Sequence, residues 1–133
     1  MFPHIDTNHT SSIPLPEFAE DTLACHHRLR EGLDILLDRL DKEPNGPSVI
    51  LLAGHAASVI AAVRSLLDNA AEPVRPAVAS VCKLVRNDAN GWDLLANGYV
   101  SHLSDGAHRA WTFSGDIPDY EKRKMIKGEA GPL

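Results

Sequence analysis

The chain has little that would staple it, anchor it or charge it strongly. Only two of its 133 residues are cysteine, Cys25 and Cys82; both lie in apolar-patterned segments and no CxxC spacing occurs. That pattern reads better as two buried thiols in a reducing compartment than as a disulfide framework or a zinc site. The longest apolar runs, 49–53 and 59–63, are too short to cross a bilayer, and the N-terminus lacks a basic-then-apolar signal pattern. No membrane association is expected, and a cytoplasmic or nuclear address follows by default. Positive charge is short as well: 13 basic against 18 acidic residues give a formal charge of −5, so no overall field attracts nucleic acid, which is not an expected partner. Aromatic residues make up 5% of the chain, and Trp92 and Trp111 stand apart among polar residues, as packing anchors and not as a base-stacking platform. There is no GxSxG elbow, P-loop or GxGxxG run, no internal repeat and no low-complexity tract. No cofactor and no metal ion is expected.

What is present is an ordinary apolar fraction, 44%, enough for the core of one domain. Pro3, Pro14, Pro16 and the Thr10-Ser11-Ser12 cluster break any regular period in 1–17, an extended leader. From 18 to 40, Leu29, Leu33, Leu36, Leu37 and Leu40 recur at three- and four-residue spacing with acidic residues opposite, which predicts an amphipathic helix. The Glu20-Asp21-Thr22 turn starts it, and Pro44-Asn45-Gly46-Pro47 lies beyond its end. Ser48-Val49-Ile50-Leu51-Leu52 then predicts a strand buried on both faces, as in a parallel sheet. After Gly54 and His55, the stripe Val59, Ile60, Val63, Leu66 and Leu67 predicts a second helix that ends near Asp68-Asn69. Residues 78–85 and 92–96 predict two strands joined around Asp88-Ala89-Asn90-Gly91, where Asn-Gly supplies a positive-φ turn. The polar tail, 116–133, carries Lys122-Arg123-Lys124 and reads as loosely ordered or as a docking segment. The fold class is α/β.

His55 is the most informative residue, because it lies where an apolar strand gives way to a helix among the small residues Gly54, Ala56, Ala57 and Ser58. In open α/β sheets ligands bind at the carboxyl ends of strands, and the amides of the following helix favour an anion there. A histidine in that place can donate to a phosphate oxygen; equally, it can cap the helix or bond locally. The adjacent His26 and His27 point about 100° apart on a helix and cannot easily share a metal. One of them is expected to be partly buried and the other solvated. His4, His9, His102 and His108 show no ligand spacing.

The run Val49-Ile50-Leu51-Leu52-Ala53-Gly54-His55-Ala56-Ala57-Ser58 resembles the second-histidine motif of the histidine-phosphatase (phosphoglycerate-mutase-like) superfamily, an apolar strand followed by Thr-His-Ala-Ala. Gly54 stands in place of the threonine. Phe2-Pro3-His4-Ile5-Asp6 and the stretch from Glu20-Asp21-Thr22 to His26-His27-Arg28 are similar to segments that precede that strand in fungal members, with Ala19 where glycine is usual. Val81-Cys82-Lys83-Leu84-Val85-Arg86, Gly91-Trp92, Ser101-His102-Leu103 and Arg109-Ala110-Trp111-Thr112-Phe113 look like the tail of fungal phosphatase-like proteins. That group includes the phosphatase-related subunit of the RNA polymerase III general transcription factor.

The resemblance implies that 18–115 is the C-terminal half of such a domain, part of a three-layer α/β/α sandwich that lacks its N-terminal strand. It implies a phosphate or phosphomonoester pocket in which His55 contacts the phosphoryl group beside Ala56 and Ala57, with Glu20 at the rim. It also meets a departure: the family's nucleophile sits in an Arg-His-Gly motif, which occurs nowhere in this sequence. A truncated phosphatase, inactive alone, is the favoured expectation. A degenerate pseudoenzyme kept as a non-catalytic interaction module, and a chain completed by a partner or by association of copies through the uncovered sheet, are the alternatives.

Overall fold

The computed structural model describes residues 8, 10, 11, 13–15 and 20–113, in which two helices precede an antiparallel hairpin. The tail 116–133, most of the leader and the Phe2–Asp6 motif lie outside the described residues.

Helix α1 spans Thr22–Asp41. Asp21 is its N-cap, accepting from the Ala24 amide at 2.7 Å, which satisfies one of the first-turn donors that a helix start leaves open. The helix thus starts within the expected Glu20-Asp21-Thr22 turn, with the cap at Asp21. The leucine stripe is the face that packs: Leu33 is buried, Leu29, Leu36, Leu37 and Leu40 are half-buried, and Asp34, Asp38 and Arg39 stay exposed.

Helix α2 spans Ala56–Leu66. Ile60, Ala61 and Val63 are buried on it, and Ile60 and Val63 join Val74 in the core. Asp68 takes φ +50 just past the helix, while the Asn69 amide bonds the Arg64 carbonyl and the Asp68 amide bonds that of Ser65. That is a left-handed Schellman stop. Arg30 of α1 reaches the same end, donating to the Ser65 carbonyl at 2.8 Å, so a cation meets the negative pole of α2.

Strands β1, Val81–Arg86, and β2, Trp92–Tyr99, form the hairpin. The Asn87 amide bonds the Gly91 carbonyl, and Asn90 takes the left-handed position at φ +59. The Asn87 side chain accepts from the Ala89 and Gly91 amides, which fixes the loop. Arg86 pairs with Trp92 and Leu84 with Leu94, but Val81 pairs with Tyr99, so β2 carries extra, bulged residues towards its end. Cys82, Leu84 and Leu94 face the core and complete it together with Val59, Leu67 and Phe113.

The strand expected at 48–52 does not form. Residues 49–55 run without turn or bend, and Val49, Ile50, Leu51 and Leu52 are 82%, 39%, 89% and 55% exposed. A strand buried on both faces needs a ladder on either side and cover above and below. Among the described residues the only sheet is the β1–β2 pair, so the apolar pattern at 48–52 has no partner. The described residues form a small α/β unit of two helices and one hairpin. None of their helices is long and apolar enough to cross a membrane.

Candidate functional site

His55 is the N-cap of α2, with extended backbone angles of φ −76 and ψ 161. Its carbonyl accepts the Val59 amide at 3.0 Å, closing the first helical turn. Its side chain makes no capping hydrogen bond and is exposed, so His55 caps the helix through its backbone and not through its imidazole. The amides of Ala56 and Ala57 belong to that first turn and have no acceptor within the helix. No acidic residue lies there to offset the positive dipole end. The sequence thus brings three elements of an anion site together: a free imidazole, open amides and small side chains that leave access.

No cation lies close to this helix start along the sequence. Between Glu43 and Arg64 the chain carries no lysine or arginine. Arg64 sits at the far end of α2, where it is buried and donates to the Glu72 carbonyl at 2.9 Å.

Glu20 is engaged in an ion pair at the start of α1. Its two oxygens meet Arg28 at 2.6 and 2.8 Å in a forked ion pair, with the side chains 18% and 28% exposed. Glu20 precedes the N-cap of α1 and reaches Arg28, eight positions further on. The Arg28 guanidinium holds the Glu20 carboxyl below its usual range, and Glu20 raises Arg28 in return. With both oxygens engaged, the pair fixes the entry to α1. Cys25 lies beside it, buried; burial first, then the negative charge of Glu20, pushes its thiol up. Cys82 is half-buried and raised by burial against a hydrogen bond from the Gly98 amide. Both thiols are free.

His26 is half-buried and His27 exposed, as the spacing predicts. The His26 Nδ1 donates to the Thr22 carbonyl at 2.7 Å, the ring lies 5.4 Å from Phe113, and Nε2 is buried without a partner among the described residues. No group of three or more metal-ligating side chains occurs among the described residues. His102 bonds the Ala79 carbonyl at 3.0 Å and stacks on Tyr99, a structural role. Trp92 packs under Arg86 at 5.3 Å, as an anchor should. Trp111 is 45% exposed and touches Phe113 edge-on, so only part of its expected packing is realised.

A pair that pattern reading passes over is Asn97-Gly98. The Asn97 side chain accepts from the Arg75 amide and donates to the Pro73 carbonyl, both at 2.8 Å. Gly98 has φ +69, and a Cβ there would collide with the Arg75 carbonyl oxygen. The visible signal is an Asn-Gly dipeptide inside a strand-like run, which marks a bulge or a close backbone approach. No protein-family model matches the chain, and no match is found among curated proteins.

Proposed function

We propose that the chain is an α/β unit of the histidine-phosphatase type that offers a phosphate-receptive helix start at His55, Ala56 and Ala57 and turns over no phosphoester by itself. The observation that carries this reading is His55 itself: an exposed, uncapped imidazole at the open N-terminus of α2, directly behind an apolar extended run. The likeness of that run to the second-histidine motif supports the choice of phosphate as the anion. Phosphoryl transfer through phosphohistidine needs a nucleophile aimed at phosphorus and cationic donors around it. The sequence has no Arg-His-Gly, and no cation lies between 44 and 63. In a complete three-layer sandwich the missing strand would lie beside 48–52, and its residues would supply both.

The test is hydrolysis of p-nitrophenyl phosphate by the 133-residue chain and by His55→Ala. The expected result is no turnover above buffer in either. Hydrolysis by the wild type that disappears in the variant would overturn the reading.

A second reading, an interaction module without catalysis, is favoured by one observation: the uncovered apolar run Val49–Leu52. A pull-down that recovers no partner polypeptide by way of this run would count against it.

A further inference from the structure

The dipeptide Asn-Gly occurs three times, at 45–46, 90–91 and 97–98. Asparagine is a thermolabile residue, and most so before glycine, whose backbone nitrogen is unhindered by a Cβ and can attack the asparagine side-chain carbonyl carbon. Whether a fold permits the attack depends on freedom at the asparagine. Its side chain has to leave its hydrogen bonds, and its ψ has to turn until the next nitrogen faces Cγ.

Asn97 is held at both ends of its side chain, Oδ1 by the Arg75 amide and Nδ2 by the Pro73 carbonyl, each at 2.8 Å. Asn90 is exposed, but its φ is +59, and turning ψ from there leads into a region that only glycine occupies readily. Its φ must therefore change too. That change undoes the hairpin loop, where the Asn90 amide bonds the Asn87 carbonyl, the Gly91 amide bonds Asn87 Oδ1 and the Asn87 amide bonds the Gly91 carbonyl. Asn45 meets neither obstacle: it is exposed, its φ is not positive, and no hydrogen bond holds its side chain among the described residues. A single bond closes its turn, from the Gly46 amide to the Glu43 carbonyl at 3.1 Å. Beyond it, no backbone hydrogen bond joins 47–53 to another described residue. The fold also keeps glycine in the attacking position, because a Cβ at 46 would come 2.5 Å from the Leu40 carbonyl oxygen.

We propose that Asn45 is a modification site, the residue at which the folded chain deamidates spontaneously. Hydroxide takes the Gly46 amide proton, the Gly46 nitrogen bonds to Cγ of Asn45, and the Cγ–Nδ2 bond breaks; Nδ2 leaves as ammonia, its last proton supplied by water. A second water then opens the cyclic imide at either carbonyl, giving aspartate or an isoaspartate whose main chain runs through Cβ. The net change is amide plus water to acid plus ammonia, with nothing oxidised or reduced. The new carboxylate joins Asp41 and Glu43 beside the C-terminal end of α1, where the helix dipole disfavours negative charge. It also sets a charge directly ahead of 46–63, which has none. This modification is independent of phosphate binding at His55.

The experiment incubates the full chain in mildly alkaline buffer, folded and in guanidinium chloride, until the unfolded sample has converted, with Asn45→Gln alongside. Tandem mass spectrometry of proteolytic peptides follows each site. In the folded chain Asn45 is expected to convert about tenfold faster than Asn90, the factor set by the extra hydrogen bonds that must open there, with Asn97 slowest. In guanidinium chloride the three sites should converge. Asn45→Gln, whose longer side chain closes a ring far more slowly, should abolish conversion in its own peptide and leave Asn90 and Asn97 as they were. Folded-state conversion at Asn90 or Asn97 that matches or outruns Asn45 would overturn the assignment. So would an Asn45 that stays intact in the folded chain throughout the incubation.

Discussion

At the scale of single residues, the ion pairs at the ends of α1 fix where the chain enters and leaves the helix. Glu20 takes both its bonds from Arg28, and Asp41 accepts from Arg86 of β1 at 2.7 Å. Each carboxyl is held below its ordinary range, chiefly by the hydrogen bond from its arginine. A carboxylate whose folded pKa is depressed contributes stability that is complete above its unfolded value, about 4.3 for glutamate, and lost as pH falls through the lower folded value. Thermal melts of the wild type should therefore fall as acid is added below that point. Glu20→Gln should flatten part of this dependence while changing little at neutral pH beyond the loss of the pair. A variant as acid-sensitive as the wild type would show that Glu20 plays no such part. The residue scale is also where sequence reading divides most sharply. His55 was legible because a junction between an apolar run and a helix is visible in the pattern. The Glu20–Arg28 pair was not, since no periodicity links a residue before the helix to one eight positions on.

At the scale of elements, the helices follow from the sequence because an amphipathic period needs only one packed face to be satisfied. The leucine stripe of α1 and the Val59, Ile60 and Val63 stripe of α2 turn inward as their spacing requires. The hairpin follows from Asn90, which accepts the left-handed angle between β1 and β2. The failure at 48–52 has a physical reason of the opposite kind. A strand is stable only with its partner, and an apolar run specifies side chains without specifying what will supply its hydrogen bonds. The end of β2 was equally illegible, since its bulges depend on how Asn97 and Gly98 meet Pro73 and Arg75. That contact ties the hairpin to the segment leaving α2. Gly98→Ala brings both a left-handed backbone penalty and a clash with the Arg75 carbonyl, and should cost about 2 kcal/mol or more in denaturant unfolding. A change of a few tenths would mean that the clamp does not hold the hairpin in place.

At the scale of the molecule, the described residues bury few large apolar side chains: Leu33, Ile60, Val63 and Val74, with Cys25 and Ala61. A comparable set of apolar side chains, Val49 to Leu52 among them, is left in water. That balance leaves the apolar run before α2 without a sheet neighbour among the described residues. Under the proposed reading, the helix start behind that run would accept an anion. The measurement that tests this most directly is a titration of the chain with inorganic phosphate, followed at the backbone amides by two-dimensional NMR. The account predicts saturable shifts at Ala56 and Ala57 that are much reduced in His55→Ala, with the amides of α1 and the β1–β2 turn unmoved. Shifts that spread evenly over the surface, or that persist unchanged without His55, would contradict it.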